Sequence, residues 1–304
     1  MKKTLIALAV LAVSGAVMAQ SSVTIYGVAD VVILKDKDKS TTLTNGGISG
    51  SRLGFKGSED LGGGLTATFK LEQAINLTSG ISTGFSRETS VGLAGGFGAV
   101  RIGRMPTAYD DIAGATNPVF DSVLSPTDVF VTTGFTARPD QGIYYATPSF
   151  GGFSAAVSYN LEQVAGSQSV LALAATYGAG PLALGVAYQD EGDTKDTTFT
   201  RLNASYDLGV AKVLGGYSVV DIAAANTKQY TIGADVPLSA NLLLSVGVAS
   251  TKTDAAKRLT AYSAGAIYSL SKRTSVYGGI YSDNGTVATG STESRYGVGV
   301  KHTF

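Results

Sequence analysis

The chain ends on RYGVGVKHTF, and that ending constrains the fold more than any other stretch. Tyr296, Val298, Val300, His302 and Phe304 fall on one side of an extended segment; Arg295, Gly297, Gly299, Lys301 and Thr303 fall on the other. Chain ends ordinarily fray and carry small or polar residues. A period-two pattern carried to a terminal Phe therefore makes the last residues a strand within a sheet. The same alternation recurs upstream. Leu65, Ala67, Phe69 and Leu71 oppose Thr66, Thr68, Lys70 and Glu72, and Leu202, Ala204 and Tyr206 oppose Arg201, Asn203 and Ser205. Helical periodicity is confined to the first 20 residues and to a stretch within 105–135.

The opening MKKTLIALAVLAVSGAVMAQ has the layout of a secretory signal peptide. Lys2 and Lys3 form the basic region, Leu5 to Val13 the apolar region, and Val17-Met18-Ala19 a small-x-Ala cleavage site. Residues 1–19 are thus expected to be removed, leaving a single domain over residues 20–304. The apolar run is well short of the ~20 residues that a spanning helix needs. The chain has no Cys, so disulfides and thiolate metal sites are excluded. Without Lys2 and Lys3 the charge falls from 23 basic and 23 acidic residues to 21 and 23, a balance that gives nucleic acid no electrostatic hold. Mean hydropathy is +0.18 with 39 Gly, an apolar excess spread thinly along the chain.

Connections between the alternating runs fall into two sets. Short, turn-like ones lie at 58–64, 95–98, 148–152, 178–181, 207–209, 237–241 and 269–273. Longer, polar ones lie at 35–47, 75–86, 104–141, 161–168, 190–196, 221–228, 251–258 and 282–293. They alternate strictly, so fifteen connections predict sixteen strands with both chain ends on one side. A secreted sandwich would also have many short strands, but its apolar faces must meet in one interior. One continuous apolar face and one polar face fit a 16-stranded antiparallel transmembrane β-barrel, with lipid outside and water inside. Closure removes the unpaired edge that hydrocarbon forbids. Phe97, Phe150, Tyr177, Tyr206 and Tyr268 beside short turns, and Tyr159, Tyr188 and Tyr281 beside long ones, predict two aromatic girdles.

Five segments carry a family resemblance: SVTIYGVAD (22–30), SRLGFKGSEDLGGGL (51–65), VRIGR (100–104), RPDQGIYYATPSFGGF (138–153) and YGVGVKHTF (296–304). In that order and spacing they resemble the general porins of Gram-negative β-proteobacteria, and residues 160–290 match in pattern more than in motif. The resemblance implies a trimeric outer-membrane barrel with short periplasmic turns, longer outer loops and a third outer loop folded inward. It also makes Tyr296, Val298, Val300 and Phe304 the signal read by the barrel-assembly machinery. The outer loops after residue 160 are comparatively short for that family.

Residues 104–141 are too long for an ordinary connection and are expected to be functional. They carry Asp110, Asp111 and Asp121, which an inward fold would bring towards the opposite wall. With Leu53, Phe55, Val100 and Ile102 facing lipid, Arg52, Lys56 and Arg101 point inward, and Arg104 and Arg138 bracket the loop. By similarity to the family, Arg52, Arg101 and Arg138 are candidates for the basic side of the constriction, with Arg104 a weaker one. Lys70, Glu72, Glu88, Arg201 and Lys212 are expected to line the lumen without narrowing it.

Catalytic and metal chemistry has little to work with. His302 is the lone His and reads as an interfacial strand residue. Asp36-Lys37-Asp38 begins like a calcium loop but places Thr41 where Gly belongs and Gly47 where the bidentate Glu belongs. The expected function is passive diffusion of small hydrophilic solutes and ions, with a lean towards anions and no cofactor, metal or nucleic acid. A substrate-specific channel is the alternative.

Overall fold

Every peptide group in hydrocarbon needs a hydrogen-bond partner, and the strands of this chain meet that requirement by closing on themselves. The computed structural model describes residues 22–161, 168–254, 256–285 and 293–304; the expected signal peptide lies outside them. The strands are β1 (Ser22–Asp36), β2 (Thr42–Asn45), β3 (Arg52–Gly62), β4 (Leu65–Ala74), β5 (Glu88–Gly95), β6 (Gly98–Arg104), β7 (Gly142–Ala146) and β8 (Phe153–Asn160). They continue as β9 (Leu171–Ala179), β10 (Leu182–Asp190), β11 (Thr198–Asp207), β12 (Lys212–Ile222), β13 (Ala225–Pro237), β14 (Leu242–Thr253), β15 (Leu259–Ser269), β16 (Thr274–Asp283) and β17 (Ser294–Thr303). Neighbours pair antiparallel, and β17 returns to β1 from Val28↔Thr303 to Asp36↔Arg295.

Seventeen segments fill sixteen barrel positions. One edge of β1 pairs with β3 from Ser22↔Ser58 to Val28↔Arg52, and then with β2 from Val31↔Asn45 to Leu34↔Thr42. β2 and β3 are therefore two arms of one strand, parted by an inward kink at 46–51. Asp30 causes the kink. Its fully buried carboxylate accepts N–H bonds from Gly47, Ile48 and Ser49 at 3.1, 3.0 and 2.8 Å, and the Tyr277 hydroxyl donates to it as well. A buried carboxylate is tolerable only when its lone pairs are taken up in this way.

The expected strand count and lipid-facing parity hold, but the strict alternation of connection length does not. Residues 221–228 were expected to be a long outer loop. Instead β12 and β13 pair as far as Ile222↔Ala225, leaving Ala223 and Ala224 as the turn. Ala223 adopts φ +54°, a left-handed conformation normally signalled by Gly or Asn, and its N–H is held by the Lys195 carbonyl at 2.7 Å. The first connection is likewise shorter than read, because residues 42–45 of the expected 35–47 loop form β2.

The girdles are present with one exception. Phe97, Phe150, Tyr206 and Tyr268 are exposed near the short turns, and Tyr159 and Tyr188 near the outer connections; Tyr177 packs on Phe153 with ring centroids 4.3 Å apart. Tyr281 points the other way. It is 4% exposed and its hydroxyl donates to Asp283 at 2.8 Å inside the barrel, because Val276 and Ile280 take the lipid side of β16. His302 stays on the exposed side, its Nδ1 at 2.9 Å from Thr274 Oγ1.

The terminal Phe lies within the ladder. Phe304 N–H donates to the Gly27 carbonyl and Gly27 N–H to the Phe304 carbonyl, both at 3.1 Å. Any Cβ on residue 27 would meet the Phe304 ring at 2.3 Å, so Gly27 makes the seat for that ring. Deleting Phe304 removes both bonds, roughly 1–3 kcal/mol together. The truncated protein is expected to fold several-fold more slowly into lipid vesicles, measured by the gel-mobility shift between heated and unheated samples, whereas Phe304→Leu stays close to wild type.

Candidate functional site: the loop inside the barrel and the wall it faces

Residues 105–141, between β6 and β7, enter the lumen as a single helical turn, α1 (Asp110–Ala113), and two 3-10 turns at Val119–Asp121 and Pro126–Val129. Their anchors run round the lumen from β8 to β17 and the kink between β2 and β3. Thr107 donates to Gln189 of β10 at 2.7 Å, Ser158 of β8 accepts the Ala108 N–H at 3.0 Å, and Asn203 of β11 holds both the Ile112 carbonyl and the Thr116 hydroxyl. Further along, Ser245 of β14 accepts the Val119 N–H at 2.8 Å, and Gly47 of the Asp30 kink accepts the Val123 N–H at 2.8 Å. Arg295 of β17 donates to the Val123 carbonyl at 2.8 Å and pairs with Asp128 at 3.4 Å. The return limb is clamped by Gln189 and Glu191 on the carbonyl and N–H of Thr136.

The far end of the loop is strained. Val119, Phe120 and Asp121 adopt φ +53°, +65° and +52°, a left-handed turn of three non-glycine residues. Each costs about 1–2 kcal/mol, and the wall offsets that cost. Pro118 lies where a Cβ on Gly233 or Gly247 would fall, at 2.5 and 2.3 Å, so these two inward glycines form a trench for its ring. Val119 and Leu124 are buried beside it.

The opposite wall, β3 to β6, carries interlocked charge. Glu72 accepts from Arg87 at 2.7 Å and from the Tyr26 hydroxyl at 2.8 Å, with Arg52 at 3.8 Å and Lys70 at 3.7 Å. Glu88 takes Lys70 at 2.7 Å and Arg101 at 3.1 Å. Lys56 stands over the Tyr26 ring at 5.2 Å and Arg101 over the Tyr144 ring at 4.3 Å. Arg52, Lys56, Lys70, Arg87 and Arg101 thus cluster about Glu72 and Glu88, five cations against two carboxylates, with Asp60 of the same inward parity further along β3 near the short turn.

The expected site residues form two groups and an outlier. Asp110 pairs with Arg138 of the return limb at 3.3 Å, and both Arg87 and Arg138 act electrostatically on Asp110 and on Arg52. Asp111 accepts the Tyr144 hydroxyl at 2.6 Å, so Tyr144 joins the loop to Arg101. Asp121 lies at the other end of the loop, where Asn117 donates to it at 2.6 Å and in turn accepts from the buried Arg201 at 2.6 Å. A cavity of about 490 Å³ opens between Asp121, Arg201, Phe130 and Phe199. Arg104 is not brought to either group: it shares the outward parity of Ile102 and is tied at the rim to Asp140 at 2.7 Å and to the Ser86 carbonyl at 2.5 Å.

Asp111 and Asp121 open onto lumen water and Asp110 partly so, yet the dense protein around them displaces enough solvent to raise all three carboxyl pKa values. Burial is the leading cause; Arg138 opposes it at Asp110, Tyr144 at Asp111 and Asn117 at Asp121. Two residues at the site escaped sequence reasoning. Arg87 falls between the connection expected at 75–86 and β5, and Asn117 carries no charge to mark it. Arg201 was legible as lumen-facing from its parity with Asn203 and Ser205, opposite Leu202, Ala204 and Tyr206, but its bond to the loop was not.

A sixteen-position barrel with an apolar exterior, a charged lumen and a loop folded into it defines a water-filled outer-membrane channel. The chain belongs to the Gram-negative porin family, whose profile matches residues 4–288. It is 34% identical to outer membrane porin protein 32 of Delftia acidovorans, over the full length of both chains. It is 42% identical to the major outer membrane protein P.IA of Neisseria meningitidis serogroup C over 127 residues, 40% of this chain and 32% of that one. The solved structure of an anion-selective porin from Comamonas acidovorans superimposes with a TM-score of 0.82 at 28% identity, covering 94% of this chain and all of that one. The protein is a porin of the Gram-negative outer membrane, through which small hydrophilic solutes and ions diffuse passively.

Replacing Gly247 with Val fills the trench under Pro118. Planar-bilayer recording is expected to show larger and noisier single-channel conductance, because the far end of the loop can no longer dock against β13 and β14.

Proposed function

We propose that residues 105–141 are the constriction of this porin, and that wall arginines facing loop carboxylates set its selectivity. Arg52 and Arg101 act from the wall and Arg138 from the loop's own return limb; Asp110 and Asp111 oppose them, Asp121 adds charge at the far end of the loop beside Arg201, and Arg104 ties the rim. The observation that carries this reading is the excess of five cations over two carboxylates in the wall cluster around Glu72 and Glu88. Fixed charges in a narrow low-dielectric passage act with little screening, whereas acids on the outer loops are screened within about 8–10 Å. The mature charge of about −2 therefore matters less than the local excess, and the pore prefers anions. The anion-selective relative from Comamonas acidovorans supports that sign.

Assembly belongs to the same reading. Residues 1–19 direct export and are removed, and the barrel-assembly machinery reads the strand of Tyr296, Val298, Val300 and Phe304. The mature barrel functions as a homotrimer in outer-membrane lipid, in line with the trimer form of an outer membrane protein of Vibrio cholerae that shares its fold.

Reversal potentials of the refolded mature protein under a potassium chloride gradient test the charge assignment. Wild type is expected to favour chloride; Arg52→Gln and Arg101→Gln each lower that preference about twofold, and Asp110→Asn raises it. A wild-type preference for potassium would overturn the assignment. The raised carboxyls add a pH dependence of fixed sign. As pH falls from neutral, they take up protons before ordinary carboxylates do, the loop loses negative charge, and chloride preference rises. The Asp110→Asn/Asp111→Asn/Asp121→Asn variant is expected to lose most of that rise.

A further inference from the structure

Outside the pore, the lipid-facing side of β13–β15 carries a row of cations that diffusion through the lumen does not use. Lys228 and Lys252 are direct register partners, and both are exposed. Their alternate neighbours towards mid-barrel are Tyr230↔Ser250 and then Ile232↔Val248. Tyr230 and Ile232 are exposed large apolar residues, so this column faces lipid. Arg258, just before β15, joins it by donating to Ser250 Oγ at 3.0 Å. Beneath the three cations is an aromatic belt, with Tyr217 and Tyr230 rings 5.0 Å apart and Tyr262 exposed on β15.

Like charges directly opposite one another in a sheet are destabilising unless something neutralises them. Nothing in the described part of the chain does so. None of the three cations makes an ion pair among the described residues. The acid nearest in sequence, Asp254, accepts the Asn226 N–H at 3.0 Å. Other rim cations are paired, as in Arg295 with Asp36 at 2.6 Å and Arg104 with Asp140 at 2.7 Å. β14 and β15 are joined at the outer end, and aromatic belts sit at headgroup level, so the row stands where outer-leaflet lipid phosphates lie. Arg presents a fork matched to phosphate oxygens, and two Lys supply point charges beside it.

We infer that Lys228, Lys252 and Arg258 form a binding site for the phosphorylated headgroup of an outer-leaflet lipid, seated on Tyr230 and Tyr262. The site lies outside the lumen and is independent of how ions are selected within it.

Native mass spectrometry of the refolded mature protein with diphosphoryl lipid A and its dephosphorylated analogue tests this. Wild type is expected to retain the diphosphoryl form at least tenfold better, and the Lys228→Gln/Lys252→Gln/Arg258→Gln variant to lose that discrimination. Equal retention of both lipids by wild type, or undiminished discrimination by the variant, overturns the site. Complete displacement by equimolar inorganic pyrophosphate would overturn the lipid assignment in favour of soluble phosphate. Should the triple variant fail to fold, the single Lys252→Gln variant decides through thermal midpoints. In lipid-free detergent its midpoint should equal or exceed that of wild type, and added lipid A should raise the wild-type midpoint more than its own. Equal lipid-induced shifts would refute the proposal.

Discussion

Closure between β1 and β17 is the constraint on which the rest of the molecule depends. Without it two rows of backbone groups would face hydrocarbon unpaired, each costing several kcal/mol. The register from Val28↔Thr303 to Asp36↔Arg295 brings the chain's last residue onto its first strand. The barrel therefore cannot close before β17 is in place. Around the ring, each strand's own alternation, held in register by its neighbours, decides which charges meet water.

Inside that ring, charge is divided between a wall and a loop that differ in rigidity. On the wall, carboxylates are outnumbered and each is shared between cations, Glu72 among Arg52, Lys70 and Arg87, and Glu88 between Lys70 and Arg101. Such sharing holds long side chains in place that would otherwise sweep the lumen. On the loop, acids are held by neutral donors as well as cations, Tyr144 for Asp111 and Asn117 for Asp121. The two sets meet at Asp110, Arg138 and Tyr144.

Most of the architecture was legible because a strand states its two faces in its own sequence. Arg52, Lys56 and Arg101 could be placed inward from their apolar neighbours alone. What was not legible depends on partners far along the chain. Asp30 reads as one more polar residue in β1, and only the folded chain brings the 46–51 backbone and Tyr277 to it. The hairpin at Ala223 and Ala224 lacks turn residues because a neighbouring connection holds its backbone. Tyr281 shows the limit of assigning girdle residues by closeness to a loop, since parity outranks position along the strand. Arg87 and Asn117 have no local pattern, and their roles exist only once the loop lies across from the wall.

The trench under Pro118 and the clamp on Thr136 have a mechanical consequence. A ring of hydrogen-bonded strands resists stretching but flattens easily, and a chain fastened across it at several bearings acts as a spoke. Residues 105–141 are fastened to β8, β10, β11, β14, β17 and the kink between β2 and β3. Lateral pressure from the bilayer cannot make the ring oval without moving that spoke, so the roundness of the barrel and the position of residues 105–141 are a single mechanical variable.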